Sequence, residues 1–265
     1  MAERVVLRDP TYYLGAKGRQ ERLVQWASLS RYFAELPALE SRRCKFLMYW
    51  GAGAKSRLGA SDYSALRFLL DFVASVEQSI GMKAHVVLIF TDTHALWNGY
   101  NEERLKSYAH LMRGAARDAG VEWLAMSELL APYIKDWGCV DIGAFIKRIE
   151  REIVAGGVPM TLLYDASFRT LVRSALRHSQ RLTGNPLHRD ANSLSAEQAA
   201  YGYVRLNELE RKVVVDLFGR SVFLTYSGEV ERRLIQPNLL TVQICSMERG
   251  QRARPWFLED EMEPA

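Results

Sequence analysis

Two apolar runs dominate the hydrophobic pattern, Lys45-Phe-Leu-Met-Tyr-Trp50 and His85-Val-Val-Leu-Ile-Phe-Thr91. Both are short, continuous and bounded by polar or glycine-rich sequence, as expected of strands covered on two faces. A third strand is predicted at Val121-Glu-Trp-Leu-Ala125. Between them the apolar period changes from continuous to helical. Asp62 can cap a helix whose apolar face is Leu66, Leu69, Leu70, Phe72 and Val73, and a second helix is predicted over about 101–119. Another is predicted over 20–36. Strand, helix, strand, helix, strand is the βαβαβ pattern of a Rossmann-like, mainly parallel sheet flanked by helices.

The second half is predicted to be more helical, near 140–155, 160–182 and 194–217, with strands at Ser221-Val-Phe-Leu-Thr-Tyr226 and Leu239-Leu-Thr-Val-Gln-Ile-Cys245 extending the sheet. Open parallel sheets bind ligands outside the carboxyl ends of their strands, which puts residues 51–62 and 91–100 at the expected site. No repeat or Pro/Gly/Ser linker divides the chain, so residues 1–265 are expected to form one α/β domain, with about 1–18 and 258–265 peripheral or flexible.

Composition sharpens this only in places. At 265 residues and 48% hydrophobic the chain can bury a core without disulfide or metal. Cys44, Cys139 and Cys245 are odd in number and widely spaced, giving neither a disulfide framework nor a zinc pattern, and are expected to be buried thiols. The charged start lacks a secretory h-region and no apolar stretch is long enough for a membrane span, so a cytoplasmic protein with no membrane partner is expected. A net charge of +4 permits an anionic partner without requiring one.

Four constellations can carry chemistry. After the first strand, Gly51 and Gly53 allow close backbone approach to a substrate, with Lys55 and Ser56 beside them. The third glycine of a dinucleotide fingerprint and the Walker A pattern are both missing, and no cofactor is expected. The plain alternative is a strand-to-helix turn. After the second strand, Asp92-Thr-His-Ala-Leu-Trp-Asn-Gly99 reads as a polar loop. There Asp92 and His94 can act as hydrogen-bond acceptor and acid/base pair, and Asn98 can bind substrate. The same residues can instead cap the next helix and satisfy loop backbone.

Within the helix predicted at 160–182, Arg169, Arg173, Arg177 and Arg181 fall at every fourth position beside the apolar stripe Phe168, Leu171, Val172, Ala175 and Leu176. Neighbours in such a row lie roughly 6 Å apart and repel one another, so an acidic partner such as a nucleic-acid backbone would offset the cost. Lys147, Arg148 and Arg151 can widen the patch. A solvated face, or pairing with Glu150, Glu152, Glu208 or Glu210, is the alternative. In the last predicted helix Glu197, Tyr201, Arg205 and Glu208 share a face, where Tyr201 and Glu208 can hold an ammonium and relay a proton, or form a surface ladder.

These residues carry two resemblances. Lys55-Ser56, the Asp62 to Leu66 spacing, Thr91-Asp-Thr-His94, Tyr108 and Pro255-Trp256 resemble the layout of isocyanide synthases over about 45–257. That family implies an amino acid and a pentulose phosphate as substrates, with Lys55 capturing the carbonyl. The Asp92-Thr-His94 motif and the arginine row are similar to cyclodipeptide synthases, which implies aminoacyl-tRNA as partner, amino-acid-derived small molecules as products, a serine that carries the acyl group, and a helical Tyr and Glu. No serine occupies the first turn after Trp50, and Ser56 is the candidate. The leading expectation is a tRNA-dependent aminoacyl transferase of natural-product biosynthesis that forms a peptide bond or cyclodipeptide. In it Lys55 or Ser56 handles the acyl group, Asp92 and His94 the amine, and Tyr201 with Glu208 a second proton transfer. The alternatives are an isocyanide synthase and a non-catalytic RNA-binding module.

Overall fold

The computed structural model describes residues 43–51, 57–80, 83–182, 194–218, 222–225 and 241–243. Five parallel strands, β1 (Arg43–Trp50), β2 (Lys83–Phe90), β3 (Glu122–Ala125), β4 (Val222–Thr225) and β5 (Thr241–Gln243), form one sheet in the order β3-β2-β1-β4-β5. Successive connections run outward in one direction to β3 and then restart on the other side of β1. The switch point therefore lies between the carboxyl ends of β1 and β4, where such folds bind ligands.

Alternation along the central strands feeds two helical layers. On one face Phe46, Met48, Trp50, Val86, Leu88 and Phe90 pack against α1 (Ala60–Ile80) and α3 (Glu102–Asp118), through Leu66, Leu69, Tyr108 and Met112. On the other, Leu47, Val87 and Ile89 meet α4 (Met126–Asp136), α5 (Ile142–Gly156) and α8 (Ala196–Phe218), through Leu130, Ile134, Phe145, Ile149, Leu206 and Val213. The continuous apolar runs are thus two interleaved faces, each buried side chain contributing about 1.5–3 kcal/mol. A smaller cluster of Phe168, Leu171, Ala200 and Val204 packs α7 (Ala166–Leu182) on α8.

Three expectations need correction. The segment read as a polar loop after β2 begins with a helix, α2 (Asp92–Trp97), closed by Asn98 and by Gly99 at φ 83°. The helix read over 160–182 is two, α6 (Met160–Leu163) and α7, because the Asp165 side chain accepts from Phe168 N–H at 2.8 Å and restarts the helix. Helix α4 follows β3 without a break and was not anticipated. The helix predicted at 20–36 and the Pro255-Trp256 pair lie outside the described residues. Cys139 is a buried free thiol, while the side chains of Cys44 and Cys245 are outside the description. No helix among the described residues is long and apolar enough to cross a membrane.

Candidate active site

Tyr49 and Trp50 end β1, and strand alternation sends them to opposite faces of the same edge. Each meets a buried polar cluster.

On the α1 and α3 side, Trp50 Nε1 donates to Tyr108 Oη at 2.8 Å, and Tyr108 donates to Asp62 Oδ1 at 2.7 Å. Asp62 Oδ2 accepts from Gly59 N–H at 2.9 Å. Asp62, Tyr108 and Trp50 are all buried, so this chain ties the end of β1 to the start of α1.

On the α8 side the arrangement is ionisable. Glu210, wholly buried, accepts from Thr93 Oγ1 at 2.5 Å. Its Oε2 lies 2.7 Å from His94 Nε2, an ion-pair distance, but off the line of a hydrogen bond, and neither atom has a hydrogen-bond partner among the described residues. His94 keeps an 11% exposed side chain, lies 4.8 Å from the Tyr203 ring centroid, and meets Tyr49 edge-on at 6.3 Å. Burial, then the charges of Glu210 and Tyr203, push the Tyr49 hydroxyl well above its ordinary pKa against an opposing pull from Arg211, so it stays protonated.

Helix α2 delivers His94 to this place. Trp97, one turn further on, lies against Gly202 of α8 and donates from Nε1 to Ala199 O at 3.1 Å. A Cβ at Gly202 would stand 1.9 Å from Trp97 Cζ2, so the absent side chain permits the close approach of the two helices. Asp92 secures the other end of α2. Its Oδ1 accepts from Thr93 N–H and Ser127 N–H, each at 3.0 Å, and its Oδ2 accepts from Ser127 Oγ, joining α2 to the first turn of α4. Burial raises the Asp92 carboxyl to about 6, opposed by the Ser127 and Thr93 hydrogen bonds and assisted by the charge of Glu210.

The structure therefore brings Asp92 and His94 to one short helix. Asn98 closes that helix, half-buried, with its N–H on His94 O at 3.0 Å. Gly51 follows β1 at the same edge, while Gly53, Lys55 and Ser56 lie outside the described residues. Tyr201 is half-buried and Glu208 exposed, so the two are not brought together in the buried cluster; α8 buries Asn207 and Glu210, with half-buried Tyr203, along a different stripe. Arg169 and Arg173 are exposed on α7; the side chains of Arg177 and Arg181 are outside the description. Two acids offered as partners for that row are engaged elsewhere: Glu152 pairs with Arg148 and Arg205, and Glu210 with His94.

Glu210, Thr93, Tyr49 and Tyr203 were not read as site residues in the sequence, Glu210 entering only as a possible partner of the arginine row. Glu210 does leave a mark there, since it interrupts the apolar line of Leu206 and Val213 at helical spacing. Among the described residues no group of three or more His, Cys, Asp or Glu could hold a metal ion.

The sheet order and the polar groups at its carboxyl edge define a Rossmann-like α/β protein. No family model matches the sequence, and no curated protein does. Among solved structures the chain is similar to the isocyanide synthase PvcA from Pseudomonas aeruginosa, with 13% identity and a TM-score of 0.61 over 96% of this chain and 86% of that one. The fold is shared with that enzyme, in line with the resemblance read from the sequence. The chain is also similar to a cyclodipeptide synthase from Candidatus Glomeribacter gigasporarum bound to Phe-tRNA, at 10% identity and a TM-score of 0.46, covering 85% and 96% of the two chains. A tyrosyl-tRNA synthetase from Leishmania major matches at 14% identity and a TM-score of 0.38, with 86% of this chain but 29% of that chain covered.

Proposed function

We propose that the chain is an enzyme acting on the amino group of an amino-acid substrate, and that this substrate arrives as aminoacyl-tRNA to be joined in a peptide bond or cyclodipeptide. The observation that carries the reading is the His94–Glu210 pair at the carboxyl edge of β2. An attacking amine must shed a proton. His94 accepts it, Glu210 stabilises the imidazolium, Thr93 fixes Glu210, and His94 returns the proton to the departing tRNA oxygen as the ester bond breaks. The ester is already activated, so no ATP is required. Lys55 or Ser56 remains the candidate for holding the acyl group. The preference for a tRNA-borne substrate rests on α7, whose exposed face bears Arg169 and Arg173 and whose inner face packs on α8, the helix that carries Glu210.

A second reading, condensation of a free amino acid with a pentulose phosphate to an isocyanide, is favoured by the Asp62–Tyr108 contact. Two residues that carry the isocyanide synthase resemblance meet there at 2.7 Å.

Purified protein given aminoacyl-tRNA without ATP should release a diketopiperazine or other dipeptide, and ribonuclease should abolish it. A His94→Asn variant should bind the tRNA and release nothing. A product that needs only free amino acid and sugar phosphate, and survives ribonuclease, would move the assignment to the second reading. Unaltered RNA binding with no product from either substrate set would make the chain a binding module.

A further inference from the structure

Trp50 stands where the two buried clusters meet. Its indole ends the chain that runs from Asp62 through Tyr108, and its carbonyl accepts twice from Thr91, from N–H at 2.9 Å and from Oγ1 at 3.3 Å. Thr91 is the residue that starts α2, and its own carbonyl accepts from Ala95 N–H at 3.2 Å, in the turn that carries His94. A threonine at the start of a helix ordinarily turns its side-chain oxygen to an N–H of the first turn. Thr91 makes no such bond and turns its hydroxyl to Trp50 instead. The start of α2 is thus tied to the end of β1. Tyr49, the residue before Trp50, meets His94 edge-on, so a shift of this strand end reaches His94 by a second route.

The cluster on the far face decides where Trp50 sits. Asp62 and Tyr108 are 2% and 0% exposed. Apolar residues of similar volume in place of buried charged groups often leave a fold as stable or more so, and stability alone does not account for a carboxylate there. Every link is satisfied: Asp62 accepts with both oxygens, from Tyr108 and from Gly59 N–H, while Tyr108 accepts from the Trp50 indole. A buried network completed in this way is rigid and holds the indole in one place.

We propose that Tyr108 is a positioning residue for His94, acting across the sheet. It holds the Trp50 indole, Trp50 holds Thr91, and Thr91 sets where α2 begins. The proposal rests on the reading of His94 as the group that accepts the proton of the amine, a role in which a displacement of about 1 Å costs on the order of 10²-fold in rate.

The test compares Tyr108→Phe and Thr91→Val with Met112→Ala, a control one turn further along α3 that is fully buried and forms none of these links. Steady-state kinetics with aminoacyl-tRNA are measured beside the imidazole Cε1–H NMR signal of His94, assigned by its loss in His94→Asn. The ring of Tyr203, 4.8 Å away, makes that signal sensitive to displacement. Tyr108→Phe should lower kcat by about tenfold or more at nearly constant KM. It should also move the His94 signal, while that of His85, near the start of β2, stays. Thr91→Val removes one of the two bonds to the Trp50 carbonyl and should act in the same direction to a smaller degree; it decides the matter if Tyr108→Phe fails to fold. Met112→Ala should melt lower and change neither readout. A folded Tyr108→Phe or Thr91→Val with normal kcat overturns the proposal, whether or not the signal moves. So does a lowered kcat with an unmoved signal, a raised KM at constant kcat, or an equal loss of kcat in Met112→Ala. A wild type that makes no product from aminoacyl-tRNA would sink the functional reading instead, and the NMR comparison would still decide whether Tyr108 positions His94.

Discussion

Glu210 is a carboxylate with no exposure at all, and a charge in that position persists only with compensation. Thr93 and His94 supply it from a helix 117 residues earlier in the chain, which is why the dyad cannot be seen in any local motif. Replacing Glu210 by Gln keeps the shape and the Thr93 bond but removes the charge that stabilises the imidazolium. Turnover should fall by about 10²–10⁴ while the fold survives, measurable as kcat beside a thermal melt. Asp92 makes a different prediction, because its carboxyl is raised from 3.8 to about 6. A carboxyl raised on folding binds its proton more tightly in the native state. Its favourable contribution is therefore complete below pH 3.8 and is lost as pH rises through about 6, at most about 3 kcal/mol across the window. Asp92→Asn keeps an acceptor for Thr93 and Ser127 without that loss. The variant should equal or exceed the wild type in melting temperature at pH 7.5, and the gap should close by pH 4.5. A variant far less stable than wild type at both pH values would show that the ionised Asp92–Ser127 link itself holds α2 to α4.

At the scale of elements, the contact that positions His94 is a glycine under a tryptophan. Alanine at position 202 should favour α8 by up to about 1 kcal/mol through helix propensity, but its Cβ would overlap Trp97 by far more than a ring can yield. Overpacking of this kind costs about 1–3 kcal/mol. Gly202→Ala is expected to melt a few degrees lower and to lose activity out of proportion, because moving Trp97 moves His94. A variant with a normal melting curve and full activity would show that α2 can shift without consequence. Strands β1 and β2 were legible in the sequence because burial on both faces makes continuous apolar runs, and β3 because Trp123 and Ala125 alternate inward past exposed Glu122. Helix α2 was not, since six residues span too little for a period to show. Helix α4 was hidden by Pro132 in its interior and by its start directly after β3. The two polar stripes of α8 have nearly the same spacing, so polar residues alone did not say which faced inward. The flanking Leu206, Val213 and Val214 mark the buried side, and Glu210 sits within it.

Across the whole molecule, the arginine-bearing helix α7 is joined to α8, the helix that carries Glu210, through one layer of side chains, Phe168 and Leu171 on Ala200 and Val204. The outward face carries Arg169 and Arg173, four residues apart and both exposed. With a net charge of only +4, long-range attraction for nucleic acid has to come from local clustering rather than from the whole chain. Each arginine that neutralises about one phosphate contributes roughly 0.7–0.9 to the slope of log affinity against log salt. Changing Arg169 and Arg173 together to Glu replaces two attractions by two repulsions. The slope should flatten by about 1.5 or more, and the apparent KM for aminoacyl-tRNA should rise steeply. Turnover at saturating substrate should change much less, since neither residue belongs to the His94–Glu210 cluster. The helix should survive, because glutamate is a good helix former and both positions are exposed. Filter binding of tRNA over a salt series measures the slope, and circular dichroism checks the fold. An unchanged slope and affinity in the folded double variant would remove α7 as the nucleic-acid contact and leave a free amino acid as the better substrate for the buried dyad.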